Sequence, residues 1–126
     1  NNALALFNSL KHLNMIRIPM PETPFEHAWY KFYAYLRSES LADGWSRERI
    51  IFELNQNKIP VFSGSCSEIY LEECMKKYSD QECKILKNAK ELGETSLMFL
   101  VHPTIDKLAL DFYISGIETI LKKSKR

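Results

Sequence analysis

The strongest constraint in this sequence lies near its carboxyl-terminal end. Ile105, Leu108, Ala109, Phe112, Tyr113, Gly116, Ile117, Ile120 and Leu121 recur at three- and four-residue spacing, the signature of one helix face. Thr104 stands where an N-cap belongs. The stripe through Leu108, Phe112, Ile117 and Ile120 is expected to lie in the core. A helix with so long an apolar face is not stable in isolation and needs a partner surface to bury it.

The rest of the chain supplies that surface. Ser96 to Val101 is the longest apolar run and reads as a strand, ended by His102-Pro103. His27 to Leu36, rich in Trp, Tyr and Phe, reads as a second strand. Ile59-Pro60-Val61-Phe62 is a short extended piece that Pro60 confines to an edge or a strand start. Four further helices are predicted. One spans Ala3 to Leu13 with Leu4, Phe7 and Leu10 inward. One is capped by Ser46, runs to Gln56 on Ile50, Ile51 and Leu54, and ends at a left-handed Asn57. One is capped by Ser67 and runs to Lys77. One has a Ser79/Glu82 capping box, a stripe of Ile85, Leu86, Ala89 and Leu92, and Gly93 as its stop. Pro19, Pro21 and Pro24 mark a connector, and Asp43-Gly44 a turn. The order α–β–α–β–α–α–β–α predicts an α+β fold: a small, mostly antiparallel sheet of about three strands with helices packed on one face.

Composition excludes several function classes. With 126 residues, one domain covering 1–126 is expected. No apolar run approaches the ~20 residues of a membrane span. The net charge of +1 gives no broad basic face for nucleic acid. Only the tail is lopsided, with Lys122, Lys123, Lys125 and Arg126, which suits a solvated helix end. Cys66, Cys74 and Cys83 form no C-x-x-C pair, so no zinc site is expected. An odd cysteine count with no secretory leader points to a reducing cytoplasm.

No dinucleotide fingerprint or phosphate loop is present. Ser63-Gly64-Ser65-Cys66-Ser67 remains the segment best suited to close approach of a ligand. If it opens a helix, its N–H groups face an anion. His12, His27 and His102 are scattered, and no base stands near Cys66 in sequence, so neither histidine nor thiol chemistry is indicated.

A resemblance adds to this reading. His27-Ala28-Trp29-Tyr30-Lys31-Phe32-Tyr33, a helix, then Asn57 through Tyr70, form its first half. Ala89-Lys90-Glu91-Leu92-Gly93, an apolar strand, His102-Pro103-Thr104 and the last helix form its second. The ordered set resembles the carboxyl-terminal small domain of the DegT/DnrJ/StrS sugar aminotransferases. These are pyridoxal-phosphate enzymes that aminate a keto sugar on a nucleotide carrier. The Ser-Gly-Ser-Cys loop resembles the subgroup serving surface-polysaccharide amino sugars. The resemblance implies a small domain of the fold-type I aminotransferases. It implies a parent with an amino-terminal large domain that carries the Schiff-base lysine, and usually a homodimer. Phe62, Ser63, Gly64, Ser65, Cys66, Tyr70 and His27 are the residues it implies for substrate contact; none is expected to be catalytic. The lysine motif is absent here, so no cofactor is expected on this chain and it is not expected to transaminate alone. The chain reads as an excised or truncated part of such an enzyme. The competing expectation is a stand-alone binding or regulatory module.

Overall fold

A computed structural model describes residues 1–78 and 85–126. The Ser79/Glu82 capping box and Cys83 lie outside the described residues. Helix α1 (Asn2–Leu10) leads into strand β1 (Ile16–Arg17) and then β2 (Phe32–Leu36). Helix α2 (Arg47–Gln56), strand β3 (Val61–Phe62) and a one-turn helix α3 (Glu73–Lys76) follow. Helix α4 (Lys87–Thr95) runs directly into β4 (Ser96–Phe99), and α5 (Lys107–Ser124) closes the fold. The sheet order is β1-β2-β4-β3, every pairing antiparallel. The α+β class holds, with four strands in place of about three.

The register decides what each face does. Residues paired across an antiparallel ladder share a face. Phe32 pairs with Phe99, Ala34 with Leu97, and Ile16 with Leu36. These side chains are buried together with Leu6 and Leu10 of α1, Ile50 and Leu54 of α2, and Ile117 and Leu121 of α5. The alternate residues form the other face: Tyr33 pairs with Met98, Tyr35 with Ser96, and Arg17 with Tyr35. There the Arg17 guanidinium sits 4.7 Å over the Tyr35 ring, and Tyr33 and Tyr35 stack at 6.4 Å. Helix α4 lies over this second face, sharing a groove with Arg17 and Tyr35.

Several local expectations are corrected. Helix α5 starts at Asp106, whose carboxylate accepts from the Ala109 N–H at 2.8 Å. Thr104 is instead hydrogen-bonded to the His102 ring. The buried face of α5 is Leu110, Ile117, Ile120 and Leu121, whereas Leu108 is 81% and Phe112 53% exposed. At 100° per residue Leu108 and Phe112 lie about 160° around the helix from Leu110. The helix carries apolar residues on more than half its circumference, so periodicity alone could not choose the inward side.

Helix α1 likewise buries Ala3, Leu6 and Leu10 and leaves Leu4 exposed. Strand β2 starts at Phe32, not His27, because Trp29 takes φ +51° and breaks the extended run. The His27 ring nitrogen accepts the Trp29 N–H at 2.8 Å, and His27, Trp29 and Phe32 stack in series. The left-handed residue after α2 is Lys58, φ +62°, rather than Asn57. Gly93 lies inside α4 instead of ending it, and neither Ile85 nor Leu86 is buried.

Other expectations stand. Ser46 caps α2, its hydroxyl accepting from the Arg49 N–H. Gly44 takes φ +77° in the Asp43-Gly44 turn. β3 follows Pro60 at the sheet edge. The basic tail is pinned to the turn after β2 by the Ala42 N–H to Ser124 carbonyl and Arg126 N–H to Ser40 carbonyl bonds. No described helix is long and apolar enough to cross a membrane.

Candidate functional site

The Ser63–Ser67 loop is held from three sides. Gly64 adopts φ +91°, and a β-carbon there would lie 2.7 Å from Cε1 of Tyr33. Glycine is therefore required twice, for the backbone conformation and for the closeness of the tyrosine ring. The Tyr33 hydroxyl lies 3.4 Å from the Ser65 hydroxyl. The Ser96 hydroxyl, at the start of β4, donates to the Ser63 carbonyl. From the third side comes α4. Gly93 abuts the Ser67 side chain so closely that a β-carbon at Gly93 would overlap it.

The corner between loop and α4 is filled by Arg47, a residue the sequence did not single out. Its guanidinium donates to the Gly93 carbonyl, and its Nε and Nη2 reach the same oxygen of Glu48 at 3.0 and 2.8 Å. Glu48 is held below the usual carboxylate range, chiefly because its carboxylate accepts its own backbone N–H. Partial burial opposes that effect, while Arg47 and the Ser46 hydroxyl add to it. The signal available in the sequence was positional: Arg47 opens a helix immediately after its cap, and Gly93 belongs to the Ala89–Gly93 stretch of the family resemblance.

Arg47, Gly93, Glu68 and Glu94 line a shallow cavity of about 320 Å³ with Ser63, Gly64, Ser65, Cys66 and Ser67. This brings together four of the residues expected to face substrate, Ser63, Gly64, Ser65 and Cys66; Phe62 borders the neighbouring groove with Ser63. Tyr70 stands beside the loop, its hydroxyl donating to Glu68 at 2.7 Å and accepting the Leu86 N–H. His27 is not brought to the loop's cavity; it lines a separate groove with Phe25 and Trp29.

The expectation that the loop opens a helix is not met. A single 3-10 turn, Ile69–Leu71, follows Glu68, and α3 is only four residues long, preceded by Glu72. The loop itself therefore does not lead into a long helix, so the macrodipole argument for anion binding drawn from it does not apply. Carboxylates gather there instead. The Cys66 thiol donates to Glu72 Oε1 at 3.1 Å, and this bond, with lesser help from desolvation and the charges of Glu72 and Glu68, pushes the thiol pKa up. A raised pKa keeps the sulfur protonated and weakly nucleophilic.

The described lysines do not fit pyridoxal phosphate. An amine that holds the cofactor sits in an enclosed pocket where burial lowers its pKa, whereas the lysines whose side chains are described are exposed, Lys31 being half-buried. No step through the cofactor is assigned to this chain.

No family model and no curated protein matches the sequence. Solved structures do. An aminotransferase from Psychrobacter cryohalolentis shares 36% identity over 98% of this chain and 33% of its own length, with a TM-score of 0.89. A DegT DnrJ EryC1 StrS aminotransferase from Brucella abortus matches at 17% identity over 94% of this chain and 29% of its own, TM-score 0.73. The sugar aminotransferase CalS13 from Micromonospora echinospora matches at 12% identity over 94% and 28%, TM-score 0.75. Fold and identity together make this an aminotransferase-related domain. It shares its fold with the DegT DnrJ EryC1 StrS and sugar aminotransferases, in line with the sequence resemblance, and spans about a third of the length of the structures it matches.

Proposed function

We propose that residues 1–126 form the carboxyl-terminal small domain of a pyridoxal-phosphate-dependent aminotransferase acting on a nucleotide-linked keto sugar. The observation that carries this reading is the 36% identity and TM-score of 0.89 to a solved aminotransferase three times as long. The cofactor supplies the electron sink for amino transfer; in this reading it is held by the larger portion of the parent. This domain contributes no reacting group. Its Phe62-Ser63-Gly64-Ser65-Cys66 segment lines the substrate cleft, with Tyr70 bracing the loop through Glu68 and His27 flanking from the connector. Tyr33, Ser96 and α4 fix the loop in place, so its contacts are made without ordering a flexible segment on binding. The parent acts in the cytoplasm as a homodimer, in amino-sugar synthesis for a surface polysaccharide.

The test is the parent enzyme. Its coding sequence must contain an upstream portion with the cofactor lysine. The purified parent must aminate a uridine or thymidine diphosphate keto sugar. Ser65→Leu should raise KM about tenfold, ~1.4 kcal/mol, with cofactor absorption unchanged. A parent without the lysine-bearing portion, or a Ser65→Leu variant with unchanged KM, refutes the assignment.

A further inference from the structure

Beside the candidate loop runs a second, apolar groove of about 570 Å³ between α2 and β3. Phe52 projects into it from α2 and Phe62 from β3, and they remain 62% and 47% exposed. Ile51 and Val61 line it as well. Among the described residues β3 is an edge strand, paired with β4, and the Val61 carbonyl takes a side-chain bond from Asn55. Singly exposed apolar side chains are ordinary on any surface. Two phenylalanines flanking one groove at a sheet edge are the pattern of a covered surface.

The groove is continuous with the candidate site, since Arg47 and Ser63 line both cavities. The solved relatives are about three times as long as this chain. We infer that the Phe52–Phe62 groove is the seat of the catalytic portion of the parent, which lays an apolar segment between the two rings. This rests on the function proposed above and adds to it the surface on which the two portions meet. Seating there carries the adjoining loop to the cleft edge, because Ser63 belongs to groove and loop alike. The occupant is the remainder of the same enzyme and not a second copy of this domain.

Hydrogen exchange on the full-length parent, compared with the 126-residue chain, tests the inference. Amides of α2 around Phe52, together with Phe62 and Ser63, should exchange at least tenfold more slowly in the parent. Phe52→Asp and Phe62→Asp, each introduced into the parent, should open the junction to limited proteolysis, while Leu108→Asp, on the exposed side of α5, should not. Two variants are used because Phe62 also sits in a strand, whereas Phe52 is on a helix surface. Protection confined to another surface, such as the Phe25–Trp29 groove, overturns the inference and leaves the proposed function standing. Concentration-dependent pairing of the 126-residue chain that Phe52→Asp abolishes, with no protection gained in the parent, overturns it in favour of a second copy. A parent lacking any catalytic portion overturns both readings.

Discussion

Truncating Leu121 to Ala should be among the most damaging single changes on α5. Leu121 is fully buried, at 0% exposure, among residues of the main core. A buried Leu→Ala costs ~2–5 kcal/mol, the spread reflecting how far the cavity collapses. Here the neighbours are held by two helices, α1 and α2, packed on α5, so a value of ~3 kcal/mol is expected. Unfolding entropies of about 2.1 cal/mol/K per residue give roughly 0.26 kcal/mol/K for a chain of this length, so Tm should fall by roughly 11 °C. Phe112 keeps half its surface in water. Its truncation removes on the order of 80 Å² of buried apolar area, ~2 kcal/mol at most, and ~1.5 kcal/mol once a compact unfolded chain is allowed for. Leu108→Ala, at an exposed site, should stay within about 0.5 kcal/mol. Thermal melts by circular dichroism, with denaturant titrations to fix the free energies, give the ranking directly. A Phe112→Ala or Leu108→Ala drop equal to that of Leu121→Ala would refute the assigned inward face.

Gly64→Ala should cost ~1–2 kcal/mol from the left-handed backbone alone and shift the Tyr33 ring resonances, because the new methyl meets that ring; unshifted resonances would count against the packing described. Asp106→Ala should cost about 1 kcal/mol as a lost helix cap, while Thr104→Ala should cost much less; the reverse order would mean that α5 begins earlier. Cys66 should alkylate more slowly than an ordinary exposed thiol near pH 8, because the Glu72 bond favours its protonated form. Glu72→Gln should lower that pKa and speed the reaction, and site-resolved mass spectrometry, with Cys74 as internal reference, would show it; an unchanged rate would exclude the Glu72 contact.

The legible parts of this chain were those governed by local chemistry. The Ser46 cap, the Gly44 turn, the edge or strand-start position that Pro60 allows and the apolar strand opening at Ser96 all follow from residue-level preferences that hold in any context. The existence of α5 was equally plain, and the ordered set of motifs pointed to the aminotransferase family. What remained closed were questions of which side and which neighbour. The choice between the Leu108–Phe112 and Leu110–Leu121 sides of α5 depends on the sheet it meets, because both stripes are apolar. β1 has only two residues and is held by its ladder to β2, so nothing local announces it. At the candidate site the sequence offered the Ser63–Ser67 loop, since glycine and small hydroxyl residues advertise close approach on their own. It could not offer Arg47, Tyr33 and Gly93, which stand far from the loop in the chain and reach it only through the β2–β4–β3 pairing and the crossing of α4. Local preferences act between residues a few positions apart, whereas the walls of a cavity are set by long-range pairing, and that pairing exists only once the sheet has closed.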